Sequence, residues 1–191
     1  MVQHFYLIAE GQTDPRHSAD PYNMPLTPLG AETMQRVARC SAQWGLQMLC
    51  SSTLRASLDS ADFIEGASPV AVRWDLTELE DLVLDDLNYD PRATHLVSTW
   101  TEEQMEQGMI SLWTRLVPAI VRISIYMSTM GVERTAIVST ERVLGLLLAH
   151  WLGEDWRLIQ RARFSFDEVP VCHVAVEDDG SVTVGWLSCA A

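Results

Sequence analysis

Four short peptides place polar groups at or just beyond apolar runs. They are Leu7-Ile8-Ala9-Glu10-Gly11-Gln12-Thr13, Leu26-Thr27-Pro28-Leu29-Gly30, Ser51 through Ala61, and Val138-Ser139-Thr140-Glu141-Arg142-Val143-Leu144. The groups they offer are carboxylates (Glu10, Glu141), arginines (Arg55, Arg142) and hydroxyls (Ser51, Ser52, Thr53, Thr140). Guanidinium groups hold anions through charge-assisted hydrogen bonds. Carboxylates supply oxygen to hard cations and can act as nucleophiles. The chemistry that is missing is equally informative. All 13 basic residues are arginine, so a Walker lysine, a Schiff-base lysine and a lysine general base are excluded. Cys40, Cys50, Cys172 and Cys189 form no CxxC pair and no short metal-type spacing; they read as buried reduced thiols. No spacing is specific for a metal, and no cofactor is expected.

The elements that must position these groups follow from periodicity. His4 to Ala9 is a nearly continuous apolar run, the pattern of a strand covered on both faces of a parallel sheet. Glu10 to Pro25 reads as a loop. Thr27-Pro28 sets up an N-cap with proline in the first turn, and the helix runs to about Trp44. Strands are expected at Gln47–Ser51, Val70–Trp74 and Thr135–Ser139, with helices at Leu54–Glu65 and Val143–Leu152. A long helical stretch runs from Thr101 to Met130, kinked or broken near Pro118. Val169–Val176 and Ser181–Leu187 form a hairpin around Asp178-Asp179-Gly180. Strands alternating with helices predict an α/β fold with a mostly parallel sheet and a C-terminal hairpin. In such a sheet, sites form beyond the carboxyl ends of the strands, where the peptides above stand.

The order and spacing of these peptides resemble the histidine phosphatase superfamily, the family of cofactor-dependent phosphoglycerate mutases. The family's strand ending in Arg-His-Gly-x-Thr corresponds to Ala9-Glu10-Gly11-Gln12-Thr13. Its Leu-Thr-x-x-Gly corresponds to Leu26-Thr27-Pro28-Leu29-Gly30, and its Ser-Ser-x-Leu-x-Arg-Ala-x-Gln-Thr-Ala to Ser51 through Ala61. Leu-x-Glu corresponds to Leu76-Thr77-Glu78, and Val-Ser-His-Gly-Gly to Val138-Ser139-Thr140-Glu141-Arg142. The resemblance covers nearly the whole chain. It implies a three-layer α/β/α sandwich of the phosphoglycerate mutase type, one domain over 1–191, with a helical segment at about 94–130 inserted near the site.

Family chemistry uses a histidine nucleophile, a second histidine, two arginines and an acid. On this chain those positions fall on Glu10, Thr140, Ala9, Ala56 and Glu78; a one-residue gap would let Arg55 take the second arginine's place. None of His4, His17, His95, His150 and His173 stands at a nucleophile position. The implied pocket brings Glu10, Glu78 and Glu141 together, with Arg142 and Arg55 as its positive charges. Such a pocket repels a phosphate dianion. The reading is therefore a catalytically degenerate relative, a pseudophosphatase acting as a binding or interaction module. The alternative is an enzyme with residual or altered phosphoryl transfer. Within the pocket, Glu10 is expected to pair with Arg142 or Arg55; the competing reading is that the carboxylates bind a metal or a cationic ligand.

A net charge of −13 disfavours nucleic acid and anionic membrane as partners. A protein partner or small ligand is expected, and a homo-oligomer is compatible with this. No signal-peptide pattern is present, and Leu112–Met130, carrying Arg115, Arg122 and Pro118, reads as a core helix rather than a span; the expectation is a cytoplasmic protein. The acidic stretch from Asp75 to Asp90 reads as a solvated loop. The stripe Met105, Met109, Trp113, Met127 and Met130 reads as core, with a cover over the site or a partner face as the alternative.

Overall fold

The structure, a computed structural model, describes residues 2–14, 23–82, 100–162, 164–166 and 171–189. Asp85, Asp86, Asp90, His17 and His95 lie outside the described residues, as does the 94–99 part of the helical segment.

Six strands form one sheet in the order β3-β2-β4-β1-β5-β6. The strands are β1 (Gln3–Ala9), β2 (Met48–Ser52), β3 (Val72–Leu76), β4 (Arg134–Ser139), β5 (Val171–Val176) and β6 (Val182–Trp186). β1 pairs in parallel with β4, β4 with β2, and β2 with β3. β5 runs antiparallel to β1, and β6 antiparallel to β5, which gives the expected C-terminal hairpin. Both faces are covered, as the continuous apolar run of β1 requires. Phe5 and Leu7 pack into one core with α3 (Glu102–Met130) and α4 (Glu141–Trp151). Tyr6 and Ile8 pack into the other with α1 (Pro28–Ser41) and α2 (Arg55–Ala67). A short helix, α5 (Leu158–Arg161), follows α4.

Local signals account for the element ends. The Thr27 hydroxyl accepts from Gly30 N–H at 3.0 Å, and Pro28 occupies the first turn where its missing N–H costs nothing. Thr101 and Gln104 form a reciprocal capping box at 3.2 and 2.8 Å. Gly131 closes α3 with φ of +67°.

Pro118 does not break the helix. α3 runs unbroken for 29 residues. The missing proline donor faces the exposed side, while Leu112, Leu116, Ile120, Ile123 and Met127 keep one continuous buried stripe on the sheet. By length and composition α3 could cross a membrane; here that stripe packs on β1, β2 and β4 residues. Of the Met/Trp stripe, Met109 and Met127 are buried, Met105 and Trp113 pack half-buried on the core, and Met130 is exposed. The cysteine expectation also divides: Cys50 and Cys172 are buried, but Cys40 and Cys189 are only half-buried, all four as free thiols.

Candidate functional site

β1, β2, β3 and β4 deliver their carboxyl ends to one edge of the sheet. Glu10 follows β1 directly, and its N–H donates to Ser139 O on β4 at 3.0 Å. The loop after it is pressed against α1: Thr27 N–H donates to Gln12 O at 2.8 Å, and Thr13 bridges to Leu26. A methyl group on Gly30 would lie 2.7 Å from Gln12 N, and one on Gly11 would lie 2.9 Å from Gly30 O. These close approaches are why both motif positions are glycine. Gly11 N–H donates to Ser60 Oγ of α2 at 3.0 Å, which ties the loop to the second helix of that face.

Glu10 is the central group of this edge. It is largely buried, and its Oε2 accepts a short hydrogen bond from Ser57 Oγ of α2. Burial drives the carboxyl's pKa up from 4.5 to about 7; the Ser57 hydrogen bond opposes this and the nearby negative charge of Asp81 adds to it. The expected ion pair with Arg142 or Arg55 does not form. Arg142 Nη1 instead donates to Asp81 Oδ1 at 2.6 Å. Arg55 is half exposed at the start of α2 and turns to Asp59 at 3.6 Å and Asn23 at 3.2 Å. The physical reason is placement. As first residue of α2, Arg55 points outward while Ala56 and Ser57 face the core, and the turn after β3 offers Arg142 a nearer carboxylate.

That turn differs from expectation too. A 3-10 segment, Thr77–Leu79, follows β3. Glu78 does not join Glu10; its carboxylate pairs with Arg122 of α3 at 2.9 Å, and although partial burial acts to raise its pKa, hydrogen bonds from its own backbone N–H and from Arg122 hold it below the ordinary range. The residue that faces the site is Asp81. Arg115 of α3 fixes the turn, donating to four carbonyl oxygens: Thr77 (2.9 Å), Glu78 (3.0 Å), Glu80 (2.7 Å) and Asp81 (2.7 Å). Ser139 Oγ adds a bond to Leu79 O at 2.7 Å, and Thr53 Oγ1 bonds to Glu80. Ser57, Asp81 and Arg115 were not singled out from the sequence. Asp81 lay within an acidic stretch that reads as solvated, and Ser57 next to a position read for its missing arginine.

Two cavities meet at Thr140. One, of about 440 Å³, is lined by Ala9, Glu10, Gln12, Leu29, Glu141 and Phe166 among others. The second, of about 430 Å³, has Asp81, Arg142, Ile159 and Phe164 on its walls and shares Thr140 and Glu141. Thr140 is the N-cap of α4, yet its hydroxyl makes no capping bond, is buried, and has no partner among the described residues. Glu141 Oε1 accepts from Phe166 N–H at 3.2 Å. The structure thus brings Ala9, Glu10, Thr140 and Glu141 to one cavity, sets Arg142 beside it, and leaves Arg55 and Glu78 engaged elsewhere. Among the described residues no group of three histidine, cysteine or acidic side chains is arranged to hold a metal ion. The described histidines lie away from this edge: His4, near the start of β1, stacks on His173, which pairs with Tyr6 at mid-strand, and His150 lies late in α4 beside Trp113.

Residues 5–188 match the family model described as histidine phosphatase superfamily (branch 1). No curated protein matches the chain by sequence. Among solved structures, the fold is similar to the alpha-ribazole phosphatase from Shigella flexneri, with a TM-score of 0.75 and 20% identity over 98% of each chain. It is similar to a putative alpha-ribazole-5'-P phosphatase from Escherichia coli (TM-score 0.74, 17% identity, 97% of this chain and 95% of that one). It is also similar to a phosphoglycerate mutase from Bacillus anthracis (TM-score 0.69, 15% identity, 97% of this chain and 92% of that one).

Proposed function

This chain belongs to the histidine phosphatase superfamily, and from that premise we propose that it is a catalytically degenerate member, a non-catalytic binding module that keeps the family's pocket without its chemistry. The observation that carries the reading is the content of the pocket wall: Ala9, Glu10 and Thr140 stand where the family motif has an arginine and two histidines. Phosphoryl transfer through histidine needs a nucleophilic imidazole and cationic donors to hold the phosphate oxygens. Glu10 offers neither, and Arg142, on the wall of the adjoining cavity, is committed to Asp81. A phosphate dianion entering beside Glu10, Glu141 and Asp81 meets like charge, at a cost of several kcal/mol at the effective dielectric of such sites, in order of magnitude. We take 1–191 as a single domain, with α3 beside the site, since Arg115 of that helix holds the Thr77–Asp81 turn. A cytoplasmic location is part of the proposal and rests on the four free thiols.

The test is direct. The purified protein should not hydrolyse p-nitrophenyl phosphate above background and should form no acid-labile phosphoenzyme. Robust turnover that is abolished by Glu10→Gln or Glu78→Gln would overturn the reading. Restoring two groups with Ala9→Arg and Glu10→His should produce little rate, because catalytic groups that act as a unit are not additive and Ala56 and Thr140 remain.

A further inference from the structure

Glu10 and Glu141 differ from most of the carboxylates around them, though Glu80 too is held by a hydroxyl, that of Thr53. Asp59, Asp62, Glu65, Asp75, Glu78 and Asp81 each have an arginine partner. Glu10 has a serine on one oxygen and no hydrogen-bond partner on the other among the described residues; Glu141 has one backbone N–H. Both line the same cavity of about 440 Å³, a volume within the range of small-molecule sites. A largely buried carboxyl group on a cavity wall, with no cation supplied by the described residues, is an acceptor awaiting a donor. The rest of the wall decides what kind. Leu29 and Phe166 give it an apolar side, with Gln12, Thr13 and Thr33 at its margin.

We propose that this cavity binds a small organic cation, an ammonium group held between the carboxylates of Glu10 and Glu141 with its carbon skeleton against Leu29 and Phe166. The proposal deepens the non-catalytic reading of the same site and rests on it. A hard divalent cation is a poorer fit, because it takes six or more oxygen ligands in a compact shell, whereas half of this wall is apolar. An anion is a worse fit still, since no arginine is among the described residues of the wall. Binding carries a proton balance. Where Glu10 is protonated, arrival of the ammonium group displaces that proton to solvent, and the ion pair replaces the neutral acid; one proton leaves and the ligand keeps its own.

The experiment uses the intact protein and four probes by titration calorimetry: benzylammonium, its neutral analogue benzyl alcohol, phenyl phosphate, and Mg²⁺. Benzylammonium should bind saturably, and benzyl alcohol and phenyl phosphate should not. Titration at pH 5.5 in buffers of different ionisation enthalpy should show proton release, and affinity there should be about thirtyfold weaker than at pH 8, since Glu10 titrates near 7. Glu10→Gln keeps the shape and the Ser57 contact and should weaken binding by more than about tenfold. Glu141→Gln, a change on a different element, should do the same to a lesser degree, so a folding defect in one variant does not decide the matter. Benzylammonium that fails to bind, or binds equally well to both variants, overturns the cation site; so does tight Mg²⁺ binding lost in both variants. None of these outcomes touches the non-catalytic reading, which falls instead on turnover of an aryl phosphate such as p-nitrophenyl or phenyl phosphate.

Discussion

The two ends of β1 carry ionisable groups of opposite character. At its start, His4 Nδ1 lies 3.1 Å from His173 Nε2, and the rings stack at 5.2 Å between centroids. At its end, Glu10 stands against Ser57 without a counter-ion among the described residues. Burial acts on both, and acts in opposite directions, because it disfavours whichever form is charged. The His173 pKa is lowered, by burial first and then by His4, while that of Glu10 is raised to about 7. The comparison separates residue type from residue function. This chain has histidines in its central sheet, but they sit at the edge where an open α/β fold builds no site, and the edge where it does build one holds carboxylates.

The largest expected effect breaks this contrast at Glu10. Its folded pKa lies above its ordinary value of 4.5, so the folded state binds the proton more tightly than the unfolded chain. Stability is therefore fully present below about pH 4.5, falls as pH rises toward 7, and stays low above it, a loss of about 3 kcal/mol at about 1.4 kcal/mol per pKa unit. Glu10→Gln should be close to neutral at pH 5 and should stabilise the protein by up to this amount at pH 8, as read from urea midpoints. A wild-type stability that is flat between pH 5 and 8 would remove the buried-acid account.

A smaller loss is expected from Arg115→Met, which deletes four bonds to carbonyl oxygens while keeping the apolar stem. We expect about 2 kcal/mol of destabilisation, since the half-exposed turn recovers part of its hydrogen bonding from water. Amide exchange should rise across 77–82 and not in β1. The opposite end of β1 is tested by His173→Gln. The lowered pKa means that folding disfavours the imidazolium, so stability is lost as pH falls below the ordinary histidine range. The substitution should flatten that acid limb by less than the Glu10 effect and leave the alkaline limb unchanged. Smallest of all should be Glu78→Gln. Its partner Arg122 is about half exposed, and solvent screening limits such a pair to roughly 0.5 kcal/mol. A loss of several kcal/mol would show that Glu78 reaches the site after all.

Most of the element order was written in local chemistry. The buried run of β1, the Thr27-Pro28 cap, the helix start at Thr101 and the hairpin around Asp178-Asp179-Gly180 each depend on residues a few positions apart, and each stands close to where the sequence put it. β3 shifted from 70–74 to 72–76, because its register is set by pairing with Met48–Ser52 rather than by its own composition. That Pro118 does not break α3 has a related reason: its local cost is fixed, but the stripe from Leu112 to Met127 that outweighs it exists only against the sheet.

The sequence by itself determined which polar groups arrive at the carboxyl edge of the sheet. The order β1, β2, β3, β4 and the peptides following them place Glu10, Thr140 and Glu141 there whatever the side chains then do. Only the tertiary structure decided how the charges pair. Whether Arg142 meets Glu10 or Asp81, and whether Glu78 turns to the cavity or to Arg122, depends on where α3 crosses the turn after β3 and on how Arg115 grips its carbonyls. Ion pairing falls off with distance over a few ångströms and responds to burial, and both are properties of segments far apart in the chain, as the separations of 44 and 61 positions in these two pairs show. Spacing along the chain carries no record of either.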